Sequence, residues 1–304
     1  MIYTVTLNPA LDYFMRYDQV EIGGVNRTSN TLVSAGGKGI LESRMLTLLG
    51  VPNIALGFIG GFSGQAIIDD LTQDGVVSEF TPIHGQTRIN VKVKKQDEET
   101  SYDALGPDIT EEEIQHFLVK FGRLKPSDSI VFAGNIPQVL GEDFYATLIQ
   151  KVKAAGAEFA IDVDGQKLLK TLADRPLVIK PNKAELAEIF AENFESYEEI
   201  IPYGEKLLVM GAQNVIVSMG AEGALLFTKQ GNYYAPVVKG TLKNSIGAGD
   251  STVAGFIAEY SQSQDPVKAF KQGVACGTAK AFSSDMPTRE FVNEIFNKIE
   301  IKEI

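Results

Sequence analysis

The sequence predicts an α/β fold, a parallel sheet covered by helices, with a small β extension near the N-terminus. Two observations carry this. From about Glu111 onward, near-continuous apolar runs at 129–133, 159–163, 177–179 and 215–218 alternate with helical stretches, as strands buried on both faces alternate with the helices that cover them. Before that point, short segments alternate polar and apolar residues, which suits a sheet with one wet face.

In chain order, residues 2–7 form a strand ended by Asn8-Pro9, and 14–17, 31–34, 88–94 and 99–102 are further short strands. Residues 38–49 carry Ile40, Leu41, Met45, Leu48 and Leu49 at helical spacing, and Gly50 with Val51-Pro52 supplies the stop. A second helix runs over 64–74, capped by Gly75. Helices at 141–155, 183–190 and 202–211 separate the apolar strands. Residues 223–228 and 233–238 read as a hairpin around Lys229-Gln230-Gly231, followed by helices at 249–261 and 266–282. With no internal repeat, linker or low-complexity stretch, one domain over 1–304 is expected.

Of 304 residues, 44% are hydrophobic and 22% charged, a globular balance. The net charge of −11 argues against nucleic-acid binding, which needs clustered cations. Any bound anion must be caught by a local cluster or by backbone N–H groups. A single cysteine, Cys276, excludes an internal disulfide and fits a reducing compartment. Neither a signal peptide nor an apolar run of about 18 residues is present, so a cytoplasmic protein without membrane partners is expected. His84 and His116 lack ligand-spaced partners, and Cys276 lies in an apolar helical stretch that reads as core. Gly37-Lys38 is not a Walker A loop, and Gly57, Gly60, Gly61 and Gly64 do not form a dinucleotide fingerprint.

The segment Asn244-Ser245-Ile246-Gly247-Ala248-Gly249-Asp250-Ser251-Thr252 enters a helix with Val253, Phe256, Ile257 and Tyr260 on one face. A helix start offers unpaired N–H groups at the positive end of the macrodipole, and small residues admit an anion to them. Asp250 can then take a proton from an attacking hydroxyl while those N–H groups hold a transferred phosphoryl. The same residues also read as a glycine turn with an ordinary first-turn Asp.

That segment, through Ala254-Gly255-Phe256, resembles the C-terminal signature of the ribokinase-like (PfkB) carbohydrate kinases. Thr6-Leu7-Asn8-Pro9-Ala10-Leu11-Asp12 resembles the opening of the tagatose-6-phosphate kinase and 1-phosphofructokinase branch. Ala35-Gly36-Gly37-Lys38-Gly39, Thr87 to Lys92, Lys180-Pro181-Asn182-Lys183-Ala184-Glu185 and Ser218 to Gly223 follow in that branch's order. The resemblance covers essentially the whole chain. It implies a Rossmann-like, three-layer ribokinase-like α/β fold with a small β-sheet lid from segments within about 12–36 and 80–105. It also implies ATP and Mg²⁺, a monovalent cation, and a homodimer through the lid. Asp250 would be the catalytic base, and Gly247, Ala248 and Gly249 the anion hole. Asn182 and Glu185 would organise magnesium, largely through water, and Lys180, Asn182, Ser218, Gly220, Gly223 and Asn244 would serve the nucleotide. Asp12, Gly37, Lys38, Arg88, Asn90 and Lys92 would bind the sugar or sugar phosphate, with Lys38, Arg88 and Lys92 as the phosphate cluster. Arg88 and Lys92, four apart on a strand, point to one face.

The chain departs from the family pattern on the sugar side. Leu41 stands where a sugar-contacting Asn is usual, Ala133-Gly134-Asn135 replaces Ser-Gly-Ser, Asp164 stands where Ser is common, and Asp103-Ala104 falls where Asn-Glu-Pro is usual. The resemblance therefore implies ATP-dependent phosphorylation of a ketohexose phosphate, of the tagatose 6-phosphate or fructose 1-phosphate kind. Two alternatives stay open: a related kinase of another sugar, nucleoside or small alcohol, and a non-catalytic phosphosugar-binding regulator.

Overall fold

The computed structural model describes residues 1–95, 98–163 and 165–304. The chain runs through β1 (Ile2–Thr6), β2 (Ala10–Tyr17), β3 (Thr31–Gly36), α1 (Lys38–Leu48), β4 (Asn53–Ile59), α2 (Gly61–Gln73), β5 (Thr81–Pro82), β6 (Arg88–Lys95) and β7 (Glu98–Tyr102). It continues through α3 (Glu111–Lys120), β8 (Ser129–Ala133), α4 (Phe144–Ala154), β9 (Glu158–Asp162), α5 (Gln166–Thr171), α6 (Lys183–Phe190), α7 (Ile201–Met210) and β10 (Asn214–Ser218). The last elements are β11 (Ala224–Thr228), β12 (Gly231–Ala235), α8 (Ala248–Ser263), α9 (Pro266–Ala281), α10 (Arg289–Lys298) and β13 (Lys302–Glu303).

Strands β5-β4-β1-β8-β9 pair in parallel, and β10-β11-β12-β13 continue as an antiparallel edge. Between them, residues 177–179, expected as a strand, form only bridges from Ile179 to Ile161 and Val215. The segment is bounded by Pro176 and Pro181, which lack the N–H that a ladder needs. It still joins the two sheets, because the Leu177 N–H reaches the Phe159 carbonyl at 2.7 Å and the Ile216 N–H reaches the Ile179 carbonyl at 2.9 Å.

Alternation along the strands builds the three layers. Ile130 and Phe132 of β8, Phe159 and Ile161 of β9, and Val215 and Val217 of β10 join the core under α3, α4 and α7. Val131, Ala160 and Ile216 face the opposite core with α1, α8, α9 and α10. Fully burying a Leu, Ile or Phe contributes about 1.5–3 kcal/mol, so two such faces commit each strand to its place. Cys276 is part of the second core, and burial pushes its thiol up to about 12.

The remaining sheet, β3-β2-β6-β7, is the lid. Leu11, Ala35 and Ile89 at its root are packed with α2 residues such as Ile67 and Leu71. Beyond the root, Asp12, Ser34 and Asn90 fall in one cross-strand row, and Val33, Tyr13, Val91 and Tyr102 in the next. Successive rows point to opposite faces, so Asp12, Ser34 and Asn90 share the inner face and Val33, Tyr13, Val91 and Tyr102 the outer one.

The sequence reading omitted β4, α3, α5 and α10 and began the second strand late. β4 was hidden by Pro52 and Gly57, whose interruption is tolerated because Gly57 lets the strand pass close to the Thr6 carbonyl. α10 follows a polar stretch and buries only Val292 and Ile295. α3 is set by its cap. The Thr110 hydroxyl accepts the Glu113 N–H at 3.3 Å, and Glu113 accepts the Thr110 N–H at 2.7 Å. Glu113 also accepts from the His84 N–H at 2.6 Å and contacts His84 Nδ1 at 2.8 Å, tying α3 to the segment that enters the lid.

Burial raises the Glu113 carboxyl, but its N–H and imidazole partners outweigh that and bring it down from 4.5 to about 2. A carboxyl lowered on folding stabilises the fold above its unfolded value and ceases to do so as pH falls through its folded value. Glu113→Gln is therefore expected to lower the thermal midpoint near neutrality and to flatten the loss of stability between pH 4.5 and about 2. Thermal melts across that range check this; parallel curves for both proteins would contradict it.

Candidate active site

A cleft of about 320 Å³ opens under the lid, at the carboxyl ends of β1 and β8 and the N-termini of α1 and α8. Open α/β sheets place ligands at this edge, where chain crossovers diverge. Asp12, Gly37, Lys38, Arg88, Asn90, Lys92 and Asp250 all line it, together with Leu41, Asp103, Asn135 and Ile246. A second hollow of about 360 Å³, near Thr47, Val51, Pro52 and Val77, lies at the opposite end of β1 and carries no ionisable side chain apart from the amino terminus.

The lid supplies one wall. Asp12 is 8% exposed, accepts a hydrogen bond from Asn90 Nδ2 at 2.9 Å, and lies 3.4 Å from Lys92 Nζ. The Asn90 side-chain oxygen Oδ1 accepts the Ala104 N–H at 3.2 Å. A carboxylate fixed on two sides keeps lone pairs for a polyol hydroxyl. Gly36 is required beside it, because a side chain there would collide with the Asp12 carboxylate.

Arg88 sits at the hinge. Its Nε and one terminal nitrogen donate to the Asn8 carbonyl at 3.2 and 3.0 Å, and the other donates to the Ala104 carbonyl at 2.9 Å. Three of its five N–H groups thus brace the lid root, leaving two for an anion. Burial lowers its pKa, against the raising effect of Asp103 and Asp12.

The floor is a buried charge cluster. Asp162, at the end of β9 and 4% exposed, takes Lys38 Nζ at 3.4 Å and Lys180 Nζ at 3.9 Å on the same oxygen. Lys180 Nζ also lies against the α8 turn, since a Cβ on Gly249 would stand 2.9 Å from it. Gly247 caps α8 at φ 78°, a left-handed conformation, with Leu41 and Lys280 packed beside it. The Ser251 N–H folds back onto the Gly247 carbonyl at 2.9 Å, while among the described residues no acceptor takes the Gly249 N–H. Asp250 stands in this first turn, 8% exposed. The turn therefore unites an N–H donor, the positive end of a 16-residue helix, a buried ammonium and a carboxylate.

The residues expected to serve the nucleotide form a second group. Asn182 bridges Ser218 in parallel, and Gly220 and Gly223 bound the turn after β10. Asn182 and Glu185 make a reciprocal capping box on α6, each side chain accepting the other's N–H at 2.8 Å. Gly223 has a structural reason for its identity, because a Cβ there would meet the Ala235 carbonyl of β12; Gly220 opens onto free space. Asn244 pins the turn, accepting the Ile246 N–H at 3.1 Å and donating to the Ser284 carbonyl at 3.2 Å. Asp164 lies outside the described residues.

Residues 5–286 match the model of the pfkB family carbohydrate kinases. The chain belongs to that family. It is 44% identical over 301 residues to a 1-phosphofructokinase of Bacillus subtilis (strain 168), with 99% of each chain covered. It is 33% identical over 302 residues to a D-tagatose-1-phosphate kinase of Bacillus licheniformis, again covering 99% of each. Its fold matches that of a phosphofructokinase-2 of Escherichia coli, crystallised in complex with substrates and products, with a TM-score of 0.92 at 23% identity over 98% of each chain.

Within this pfkB-family site, Glu42 and Lys280 were missed from the sequence, and Asp162, marked only as one of the residues that follow an apolar strand at the ligand edge, was given no role. Asp162 had a readable signal, a charged residue closing an apolar strand at the carboxyl edge. Glu42 had a weaker one, lying on α1 one turn after Lys38 on the face of Gly39, Ser43 and Leu46. Lys280 had none beyond its place in an apolar helix.

The two turn glycines separate packing from chemistry. Gly249→Ala meets only the flexible tip of Lys180, so the thermal midpoint should hardly move while turnover falls at least about tenfold as the ammonium is displaced. Gly247→Ala places a side chain in the left-handed region and should cost about 1–2 kcal/mol of stability. Thermal melts and initial rates on both variants test the distinction.

Proposed function

We propose that the protein transfers the γ-phosphoryl group of ATP to a hydroxyl of a ketohexose 1-phosphate of the fructose or tagatose type. Both curated relatives described above carry names of 1-phosphate kinases, which favours that ester over tagatose 6-phosphate. The observation that carries the reading is the placement of Asp250, in the first turn of α8, across the cleft from the Asp12–Asn90–Lys92 wall. A sugar held by Asp12 would present a hydroxyl to Asp250. The hydroxyl oxygen attacks the γ-phosphorus, its proton passes to Asp250, and the bond from phosphorus to the ADP oxygen breaks. Positioning and charge stabilisation do most of the work in such transfers. The Gly249 N–H, the α8 dipole and Lys180 would hold the transferred group, while Lys38 with the spare Arg88 donors would hold the sugar's own phosphate.

Magnesium fits on the nucleotide side. One Glu185 oxygen is outside the capping box and the Asn182 amide oxygen keeps a second lone pair, and Mg²⁺ keeps most of its waters and needs few protein ligands. When bound, it would neutralise charge on the β- and γ-phosphates; Glu185 and Asn182 would orient its waters.

An ATP-consumption panel of fructose 1-phosphate, tagatose phosphates, free sugars and nucleosides tests the assignment. Turnover is expected with the ketohexose 1-phosphates, and activity confined to unphosphorylated acceptors would refute it. Asp250→Asn should lower kcat by roughly 10²–10⁴-fold with ATP affinity retained, while Lys38→Ala should chiefly raise KM for the phosphosugar.

The outer face of the lid supports a second copy of this chain as partner. Val33 is 45% and Tyr102 63% exposed in the row they share with Tyr13 and Val91, a contiguous apolar row of the kind that marks an interaction surface. Sedimentation should give a dimer that Val33→Glu dissociates; a monomeric wild type would exclude it.

A further inference from the structure

Among the described Asp, Glu, Lys and Arg residues, Glu42 alone has no exposed surface. It lies on α1, one turn after Lys38. Neither carboxyl oxygen has a hydrogen-bond partner. Its neighbours on the helix are satisfied: Ser43 shares a 2.7 Å hydrogen bond with Thr4, and Arg44 pairs with Asp70 and Asp74. A buried carboxyl with two unmet oxygens destabilises the fold relative to an apolar residue of similar size. Such a costly group at the edge of a reaction site suggests a use that stability does not explain.

The groups that act on Glu42 come from every element meeting there. Asp162 from β9 and Asp250 from α8 repel its charge, while Lys38 from α1 and Lys180 from the segment before α6 attract it. Farther out, Lys280 of α9 faces Asp250, with Asp285 and then Arg44 of α1 also acting on it. Burial first, then Asp162 and Asp250, push the Glu42 carboxyl well above 4.5, and the two ammonium groups offset only part of this. Asp162 also keeps one buried oxygen without a partner. With Glu42 uncharged, Lys38 and Lys180 balance Asp162 and Asp250. With Glu42 ionised, these five groups would be net negative where two phosphate-bearing substrates must enter.

We propose that Glu42 is a positioning residue of the phosphoryl-transfer centre: as an uncharged acid behind the Lys38–Asp162–Lys180 pairing, it leaves both ammonium groups to anionic substrates, and once ionised it draws them back. The ionisation releases its proton to solvent and leaves a carboxylate that competes with the substrate phosphates for the same cations. This rests on the reading of the α8 turn as the site of transfer.

The test measures three quantities from weakly acidic to alkaline pH in the wild type, Glu42→Gln and Glu42→Leu. They are the thermal midpoint, the Kd for ATP by calorimetry, and KM and kcat for the phosphosugar. A carboxyl raised on folding stabilises the fold below its unfolded value, and that contribution is lost as pH rises through the folded one. The wild type should therefore lose stability on the alkaline side more steeply than either variant. Its Kd for ATP and KM for the phosphosugar should rise on the order of tenfold, with a smaller change in kcat, while both variants stay flat. Lys280 is present in all three proteins, so its own titration cancels in the comparison. Parallel stability curves would overturn the uncharged state of Glu42, and parallel Kd and KM profiles would overturn its positioning role. Absence of turnover with every phosphosugar would instead strike the functional reading, and the ATP affinities would still decide the role of Glu42.

Discussion

The architecture converges on one buried carboxylate, Asp162, shared by Lys38 and Lys180. Three chain segments meet there: the start of α1, the end of β9 and the link between the two sheets. α8 joins them through Gly249, against which the Lys180 ammonium rests. Removing one partner of such a buried pairing strands the other's charge, at about 3–5 kcal/mol. The pairing therefore fixes where the α8 turn stands relative to the cleft, and with it the distance over which a phosphoryl group would travel.

The lid is held by contacts of a different kind, hydrogen bonds between charged side chains and the backbone. Arg88 spends three donors on the Asn8 and Ala104 carbonyls, and Glu113 holds the approach to β6 from the start of α3. The polar inner wall is thus carried on a brace rather than on a free strand, and Asp12 reaches the cleft in a set geometry. One side chain, Arg88, thus both braces the lid root and lines the cleft.

The substitutions that set this chain apart cluster on one side. Leu41 lines the cleft and packs beside Gly247, bringing apolar surface to a place where the family pattern has an amide. Its neighbour Glu42 brings a carboxyl where α1 is otherwise buried against α8 and the sheet. A site built to pair with a hydroxyl rejects an acceptor that cannot match it, by orders of magnitude. Asp250, the α8 turn and the Asn182–Glu185 cap carry none of these changes.

The sequence alone determined the α/β class, most strands and helices, and the ordered motifs that bring Asp12, Lys38, Arg88, Asn182 and Asp250 to one edge of the sheet. The class and the elements are local, written in apolar period, glycine placement and capping residues within a few positions of each other, whereas those site residues were implied by the resemblance of the ordered motifs to a family. It left β4 unread because Gly57 breaks the strand pattern for a contact with Thr6 that lies far away in sequence. Only the tertiary structure decided that Arg88 braces a hinge, that Asp162 unites two lysines, and that Glu42 sits uncompensated behind them. Burial and charge balance depend on which segments meet in space, and side chains 124 residues apart acquire their chemistry only when the fold brings them together.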